Sequence, residues 1–143
     1  MKILIINGPN LNLLGKRNPT VYGQNSLNEV NDFVKGYFKK VEIDFYQSNH
    51  EGEIIDKIQK ADGHYAGVVL NAGAFTHYSY AIRDAIESVS VPVVEVHISN
   101  IAGREEFRHK SVISDVVSGS IVGLGIYGYV LGVQALAHQH KRK

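Results

Sequence analysis

Residues 1–23 read MKILIINGPNLNLLGKRNPTVYG, and they begin with an apolar run at residues 2–6 that is closed by Asn7-Gly-Pro-Asn10. An apolar β-branched run followed by turn residues predicts a buried strand that ends at this turn. The residues that follow obey no helical or strand period, and they bring Arg17 and Tyr22 among glycines and a proline. In α/β proteins, polar segments that follow a buried strand carry ligand-binding groups. We therefore expect a functional site at the end of this first strand.

The rest of the chain alternates between helix and strand patterns. A capping box at Ser26-Leu-Asn-Glu29 precedes apolar residues at helical spacing, which predicts a helix. Further strands are predicted within residues 41–46, 67–70, 91–94 and 120–124, and further helices within 51–61, after a cap at Thr76, and over 127–138. This alternation favours an α/β fold with five parallel strands and helices on both faces of the sheet. At 143 residues the chain fits a single catalytic domain, residues 1–143.

Composition excludes several classes of protein. The formal net charge of +1 gives no basis for nucleic-acid binding, and the basic cluster Lys141-Arg-Lys143 is a short tail. The chain has no cysteine, which excludes disulfides and thiolate metal sites and is compatible with a reducing cytosol. The apolar run before Asn7 is too short for a signal peptide. We therefore expect a cytoplasmic protein.

One uncharged segment, residues 116–137, is long enough to span a bilayer. Five glycines and several polar side chains interrupt it. We interpret it as a buried strand followed by the buried face of a helix, and we expect no membrane association.

Polar side chains follow three of the predicted strands at their carboxyl ends. Because these ends meet at one edge of a parallel sheet, next to the ligand crevice, the side chains should converge there. They are Asn10, Arg17 and Tyr22 after the first strand, Asn71 and His77 after the third, and Glu95, His97, Ser99 and Asn100 in or after the fourth.

Arg17 and Tyr22 suggest a base, because a guanidinium close to a phenol favours the phenolate. The alternative is a surface loop in which the tyrosine packs and the arginine is solvated. Arg104 and Arg108 have helical spacing, so they could face one anion, or they could belong to a solvated helix end.

His77 and Asp84 are seven residues apart, which on one helix places them on the same face. They could bind substrate hydroxyls, or both could be solvated. Glu95 and His97 alternate by two and point to the same side of a strand. Glu95 could orient His97 or pair with a cation, and an interior His97 could instead bond to a backbone carbonyl.

Other functions find partial or no support in the sequence. The run Gly123-Leu-Gly-Ile-Tyr-Gly128 fits the dinucleotide pattern, but no acidic residue follows it, so we interpret it as close helix-to-strand packing. A flavin- or nucleotide-binding module of the same fold stays as the alternative function. A phosphoacceptor domain would need an acidic residue where Asn71 stands, and a serine hydrolase would need a G-x-S-x-G elbow. A metal set of His77, Asp84, Glu95 and His97 has no recognised spacing.

Several blocks together resemble a known family. They are Asn7-Gly-Pro-Asn-Leu-Asn-Leu-Leu-Gly15 with Arg17 and Tyr22-Gly23, Asn71-Ala-Gly-Ala-Phe-Thr-His77 with Arg83-Asp-Ala85, Glu95-Val-His-Ile-Ser-Asn100, and Arg104-Glu-Glu-Phe-Arg-His109. In this order, over nearly the whole chain, they closely resemble type II 3-dehydroquinate dehydratase, the type II dehydroquinase.

The resemblance implies a flavodoxin-like domain that assembles as a homododecamer of four trimers. It implies the elimination of water from 3-dehydroquinate to give 3-dehydroshikimate, a step of the shikimate pathway to aromatic amino acids that also serves quinate breakdown. The reaction passes through an enolate and needs no metal, cofactor or lysine imine.

Residue roles also follow from the resemblance. It implies Tyr22 as proton acceptor, His97 as proton donor, Arg17 as transition-state stabiliser, and Asn10 as the residue that positions a water at the enolate oxygen. The substrate would be bound by Asn71, His77, Asp84, Arg108 and the backbone amides of Ile98 and Ser99. Glu95 and Arg104 are possible additional site residues. The segment 11–23, with glycines near its ends, would act as a lid.

Overall fold

The computed structural model describes residues 1–142, so Lys143, the last residue of the basic tail, lies outside the described residues. Its strands are β1 (Lys2–Asn7), β2 (Glu42–Gln47), β3 (Gly67–Asn71), β4 (Val93–His97) and β5 (Gly119–Val122). Its α-helices are α1 (Pro19–Tyr22), α2 (Leu27–Gly36), α3 (Glu51–Ala61), α4 (Tyr80–Ser88) and α5 (Tyr127–Lys141). The predicted alternation of strands and helices is confirmed.

The five strands form one parallel sheet in the order β2-β1-β3-β4-β5. This is the flavodoxin-like order, in which the chain direction across the sheet reverses between β1 and β3. The register pairs Asn7, the last residue of β1, with Gln47 on one side and Asn71 on the other. The segments that follow β1 and β3 therefore start side by side, and the predicted fold class is confirmed.

Alternation along the strands supplies a core on each face of the sheet. On one face, Ile3 and Ile5 of β1 pack in a cluster with apolar residues of α2 and α5. On the other face, Leu4 and Ile6 pack in a cluster with apolar residues of α3 and α4. Both faces are thus covered by helices, which explains why the interior strands are apolar on both sides.

Gly8 shows why the turn after β1 needs its particular sequence. Its amide donates to the carbonyl of Asn71 at 2.7 Å, so the chain leaves β1 directly over the end of β3. A Cβ at Gly8 would lie 2.6 Å from the backbone oxygen of Ala72, which is a clash. Glycine is the residue that allows two backbones to approach this closely.

Two predicted helical relationships are wrong. Thr76 does not cap a helix: it lies buried in a 3₁₀ helix, Gly73–His77, while Ser79 caps α4 by accepting from the amide of Ile82. The hydroxyl of Thr76 instead donates to the Glu95 carboxylate at 2.7 Å. His77 therefore precedes α4, and the helical spacing between His77 and Asp84 does not apply.

Arg104 and Arg108 also do not share a helix. Arg104 follows the 3₁₀ helix Ile101–Gly103, and Arg108 ends a second 3₁₀ helix, Glu106–Arg108. Both side chains nevertheless line the same cavity. The turns that connect the two residues place them there, and their spacing along the chain does not.

The uncharged segment 116–137 contains β5 and most of α5, as the strand-then-helix interpretation predicts. The expectation that this strand is buried is wrong, because β5 is an edge strand whose residues are exposed or half-buried. Within residues 1–142, no helix combines the length and the apolar character that crossing a membrane requires. In the glycine run, a Cβ at Gly128 would touch Val96 at 3.3 Å, so this glycine serves helix-to-strand packing. Gly123 and Gly125 have φ of 86° and 63°, and their amides donate to the carbonyls of His97 and Ile98.

Candidate active site

A cavity with about 40 Å³ of free space lies at the carboxyl ends of β1, β3 and β4. Most of the residues expected at the site line it: Asn10, Arg17, Tyr22, Asn71, His77, His97, Ile98, Ser99, Arg104 and Arg108. Pro9, Leu11, Gly73, Ala74 and Ile101 complete the lining. The structure therefore brings together groups from three strand ends and from the segment after β1.

Tyr22 reaches the cavity from the short helix α1, whose first residue is Pro19. Its side chain is buried, with 9% of the residue exposed. Arg104 Nη1 donates to the Tyr22 hydroxyl at 2.7 Å, and the Arg17 guanidinium carbon lies 4.6 Å from the ring centroid. The cation on the phenolic oxygen is thus Arg104, while Arg17 lies over the ring face. Two guanidinium groups therefore contact this side chain, one at its oxygen and one at its ring face.

His97 ends β4, and its side chain faces the same way as that of Glu95 two residues earlier. The Nε2 of His97 lies 2.5 Å from the Glu95 Oε2, and both residues are buried. Burial raises the pKa of Glu95, but hydrogen bonds from His97 and Thr76, the charge of His97 and a hydrogen bond from Ser111 outweigh it and lower that pKa to about 2. The sequence left open whether Glu95 orients His97, whether Glu95 pairs with a cation, or whether His97 bonds to a backbone carbonyl. In the structure, Glu95 contacts His97 and orients it.

His77 stands beside His97, with ring centroids 6.4 Å apart and the rings nearly parallel. Burial lowers the pKa of His77, and the nearby charges of His97 and Arg108 lower it further, against opposing contributions from Lys110 and Glu95. The neutral ring donates from Nδ1 to the carbonyl of Lys110 at 2.8 Å. Its Nε2 is then an acceptor, which suits a substrate hydroxyl.

Asn71 is held by a buried hydrogen-bond network at the end of β3. Its Nδ2 donates to the Tyr129 hydroxyl at 2.9 Å, and its Oδ1 accepts from the amide of Gly73 at 3.1 Å. Tyr129 in turn donates to Asn7 Oδ1 at 2.5 Å. Burial raises the pKa of Tyr129, so this hydroxyl stays neutral and acts only as donor and acceptor. The network fixes the amide of Asn71 against the cavity.

Replacing Tyr129 with Phe is expected to lower the free energy of unfolding by about 3 kcal/mol. The change leaves Asn7 Oδ1 and Asn71 Nδ2 without their partner, and each unsatisfied buried polar group costs about 1–3 kcal/mol. Urea denaturation at matched protein concentration measures the loss. Tyr127→Phe, at a residue that is 40% exposed, is the control and should change stability by less than about 0.5 kcal/mol. Equal stabilities of the two variants would contradict the structural role of the network.

The remaining lining groups differ in how firmly they are held. Asn10 adopts a left-handed φ of 70°, and its amide donates to Asn49 Oδ1 at 3.0 Å. Ser99 Oγ accepts from Arg104 Nη1 at 3.2 Å. Arg108 Nε donates to Glu105 Oε2 at 3.1 Å. Arg108 is thus fixed by an acidic neighbour, and its cavity-facing position adds positive charge to the site.

Two predicted site residues do not line the cavity, Asp84 and the additional candidate Glu95, which is buried and contacts the lining residue His97. The position of Asp84 differs from that of Glu95. Asp84 lies on α4, and it is exposed. The metal set that included it is not assembled, since residues 1–142 hold no group of three or more His, Asp or Glu placed to bind a metal ion.

The hydroxyl groups around Glu95 were missed by sequence reasoning. Thr76, Ser111, Ser114 and Ser120 all contact its carboxylate, but they come from three segments: a 3₁₀ helix, the connection before β5, and β5 itself. Ile101 was also missed, and its only signal is that it follows the polar run after β4.

The fold and the cavity together define an α/β enzyme of the proton-transfer class, with a guanidinium-bound tyrosine and a carboxylate-bound histidine facing one strand-end site. The family model of dehydroquinase class II matches residues 1–137, and the chain belongs to this family. The family resemblance found in the sequence is confirmed.

Relatives and solved structures agree with the family. The chain is 57% identical over 136 residues to a 3-dehydroquinate dehydratase of Thermotoga neapolitana, covering 94% of this chain and 92% of the relative. It is 54% identical to a 3-dehydroquinate dehydratase of Halalkalibacterium halodurans, covering 98% of each chain. The crystal structure of type II dehydroquinase from Butyrivibrio crossotus is similar, with a TM-score of 0.93 and 52% identity over 96% of this chain and 97% of that one.

The flavin- or nucleotide-binding alternative is not favoured. The amides of Gly123 and Gly125, which would have to meet a pyrophosphate, are used by the carbonyls of His97 and Ile98.

Proposed function

We propose that this protein eliminates water from 3-dehydroquinate to give 3-dehydroshikimate, as a cytoplasmic hydro-lyase of the shikimate pathway. The observation that carries the proposal is the pairing of two differently held groups in one cavity. Tyr22 is held by Arg104 and Arg17, and His97 is held by Glu95. The first arrangement favours a base and the second favours an acid, which are the two groups that an elimination needs.

In the first step, the Tyr22 phenolate takes a proton from the carbon next to the substrate ketone. The electron pair of the broken C–H bond forms an enolate, whose oxygen carries the negative charge. Donors fixed in advance stabilise such a charge without reorganisation. Asn10 supports this step by positioning a water at the enolate oxygen, and Arg17 adds positive charge over the ring of the base.

In the second step, the enolate collapses and the bond between carbon and the leaving hydroxyl breaks. The His97 imidazolium donates its proton to that hydroxyl, which leaves as water. Glu95, in contact with His97 at 2.5 Å, stabilises the positive charge that His97 must carry before it donates. Atoms and charges balance without a metal, a cofactor or an imine.

The other lining groups would hold the substrate. Arg108 and the backbone amides of Ile98 and Ser99 suit its carboxylate, since cations and amides are the usual partners of anions. Asn71 and His77 suit its hydroxyls, because the network of Tyr129 fixes the amide and the Lys110 carbonyl fixes the imidazole tautomer.

Side chains of the segment 11–23 partly close the cavity, since Leu11, Arg17 and Tyr22 line it. The segment 11–23 carries Arg17 and Tyr22 and covers the cavity, so we infer that it opens to admit substrate and closes for the reaction. Gly15 and Gly23, with φ of 89° and 84°, lie at positions where such a segment can change its backbone angles.

Asp84 is proposed to complete the site of a neighbouring copy of the chain. It is exposed on α4 and lies outside the cavity of its own chain. Three aromatic residues on or near this helix and the cavity are exposed as well: Tyr78, Tyr80 and Phe107. Exposed aromatic residues are enriched where proteins bury a surface against a partner. This supports a trimer, within a homododecamer of four trimers, in which Asp84 binds substrate across the subunit contact.

The function is tested by adding 3-dehydroquinate to the purified protein and following the ultraviolet absorbance of the conjugated enone product. A parallel sample is treated with borohydride, which would trap a lysine imine. A rise of absorbance in both samples is the expected result. No rise in the assembled protein would overturn the proposed activity, and a rise that borohydride suppresses would overturn the enolate route without an imine.

Arg104→Gln is expected to lower kcat by about tenfold to a hundredfold, because a hydrogen bond from a charged donor contributes about 1.5–3 kcal/mol. The change removes the guanidinium that contacts the Tyr22 oxygen. Steady-state turnover of 3-dehydroquinate measures the loss, and Arg142→Gln at the exposed end of α5 is the matched control. Unchanged kcat in Arg104→Gln would show that Arg17 alone stabilises the phenolate.

A further inference from the structure

Glu95 is a fully buried carboxylate, with 1% of the residue exposed, and it is surrounded by hydroxyl groups. We call the four hydroxyl residues that contact it the hydroxyl cage. On Oε2 the contacts are Thr76 at 2.7 Å and Ser111 at 2.9 Å, next to His97 at 2.5 Å. On Oε1 the contacts are Ser114 at 3.0 Å, Ser111 at 3.2 Å and Ser120 at 3.2 Å.

The number of donors decides the protonation state of this group. An ionised carboxylate only accepts, and its two oxygens offer about four lone-pair sites. The four hydroxyls and His97 Nε2 together can fill all of these sites. A protonated carboxyl would have to turn one of these donors into an acceptor, so the arrangement favours the ionised form.

The same geometry assigns the two nitrogens of His97. Because Nε2 lies 2.5 Å from an oxygen that can only accept, Nε2 keeps its hydrogen in both charge states of the ring. The proton that the ring gains and loses is then the one on Nδ1. A proton donor has to present that nitrogen to the substrate.

We propose that the hydroxyl cage of Thr76, Ser111, Ser114 and Ser120 positions the proton donor, by holding Glu95 ionised and aligned so that His97 donates from Nδ1 to the leaving hydroxyl. This role rests on the proposed function, and the cage residues act through Glu95 and do not touch substrate. Without the cage, the carboxylate gains proton affinity and can take the Nε2 proton, which leaves His97 a neutral ring that is a much weaker acid at Nδ1.

The cage also connects to the substrate-binding side of the cavity. The amide of Val112 donates to the carbonyl of Thr76 at 2.8 Å, and His77 donates to the carbonyl of Lys110. The titratable group next to the Glu95–His97 pair is His77, stacked on His97, and Arg108 lines the same cavity and acts on His77 by its charge. None of the cage residues is itself charged, so their replacement changes hydrogen bonding to Glu95 without changing net charge.

The first arm of the test needs no substrate. Protein labelled with carbon-13 at glutamate Cδ is titrated by NMR, with the Glu95 signal assigned by its absence in Glu95→Gln. In Ser111→Ala/Ser114→Ala the midpoint of the Glu95 titration should rise by about two pH units from its low value near 2. Ser114→Ala/Ser120→Ala, which changes two exposed residues and so keeps the core intact, should show a smaller rise in the same direction. An unchanged midpoint of the Glu95 titration in both variants would overturn the proposal that the hydroxyl cage holds Glu95 ionised.

The second arm measures turnover of 3-dehydroquinate across pH. Ser111→Ala/Ser114→Ala should lower kcat by about tenfold or more and leave KM within about twofold of the wild-type value. The limb of the kcat–pH profile that reports the titration of the Glu95–His97 pair should move to higher pH. Restoring a hydroxyl at one site, in Ser111→Ala/Ser114→Thr, should recover part of both effects. Ser118→Ala, on the same connection but away from Glu95, should match the wild type.

The two arms separate the possible failures. A moved titration midpoint with an unchanged kcat–pH profile would overturn the positioning of the donor. A lowered kcat with an unmoved kcat–pH profile, and no recovery of activity in Ser111→Ala/Ser114→Thr, would mean that the serines have only a structural role. That result would also overturn the positioning of the donor. Absence of turnover in the wild type would overturn the proposed function, while the titration would still decide whether the cage keeps Glu95 ionised.

Discussion

Tyr22→Phe is expected to reduce kcat by about a thousandfold, because in the proposed mechanism it removes the oxygen that takes the proton next to the ketone. General base catalysis contributes about a hundredfold to ten-thousandfold in enzymes. The ring itself stays, so its packing with Arg17 and its buried position are kept. Substrate binding should therefore change little, and the loss should fall on kcat and not on KM.

Two measurements check the role of Tyr22. The enone assay gives kcat, and calorimetric titration with 3-dehydroquinate gives the affinity of the inactive variant. Exchange of the substrate proton next to the ketone with deuterated solvent should also stop, because that exchange needs the base. Tyr37→Phe, at a residue that is 51% exposed, is the matched control. Turnover near that of the wild type would remove Tyr22 from the mechanism.

His97→Gln is expected to reduce kcat by about a hundredfold to a thousandfold, but with a different signature. In the proposed mechanism the change removes the group that protonates the leaving hydroxyl, while an amide at this position can still donate to Glu95. Proton abstraction by Tyr22 does not need the acid. Exchange of the proton next to the ketone with solvent should therefore continue in His97→Gln while product formation is lost.

The contrast between the two variants tests the division of labour. His138→Gln, on the exposed part of α5, is the control for loss of an imidazole. If proton exchange stops in His97→Gln as well, His97 would belong to the first step and the stepwise route would be wrong. If product still forms at the normal rate, another group would have to be the donor.

Local patterns predicted most of the fold. The capping box at Ser26 is present with both of its hydrogen bonds, and α3 occupies residues 51–61 as expected. These signals are read within a few residues, where side chain and backbone meet directly. Thr76 shows the limit of such signals. Its hydroxyl, which the sequence pattern assigned to a helix cap, donates instead to the buried carboxylate of Glu95, nineteen positions further on. No local pattern predicts a hydrogen bond between residues so far apart in sequence.

The sequence by itself determined the class of fold, the edge of the sheet where the site lies, and the family, because periodicity, strand order rules and contiguous motifs act over short distances along the chain. Only the tertiary structure decided which partners the site residues have. It placed Arg104 on the Tyr22 oxygen although 82 positions separate them, gathered four hydroxyls around Glu95, and left Asp84 outside its own cavity. Contacts of this kind depend on how loops from different strands pack over one edge, and residue types and spacing do not fix that packing.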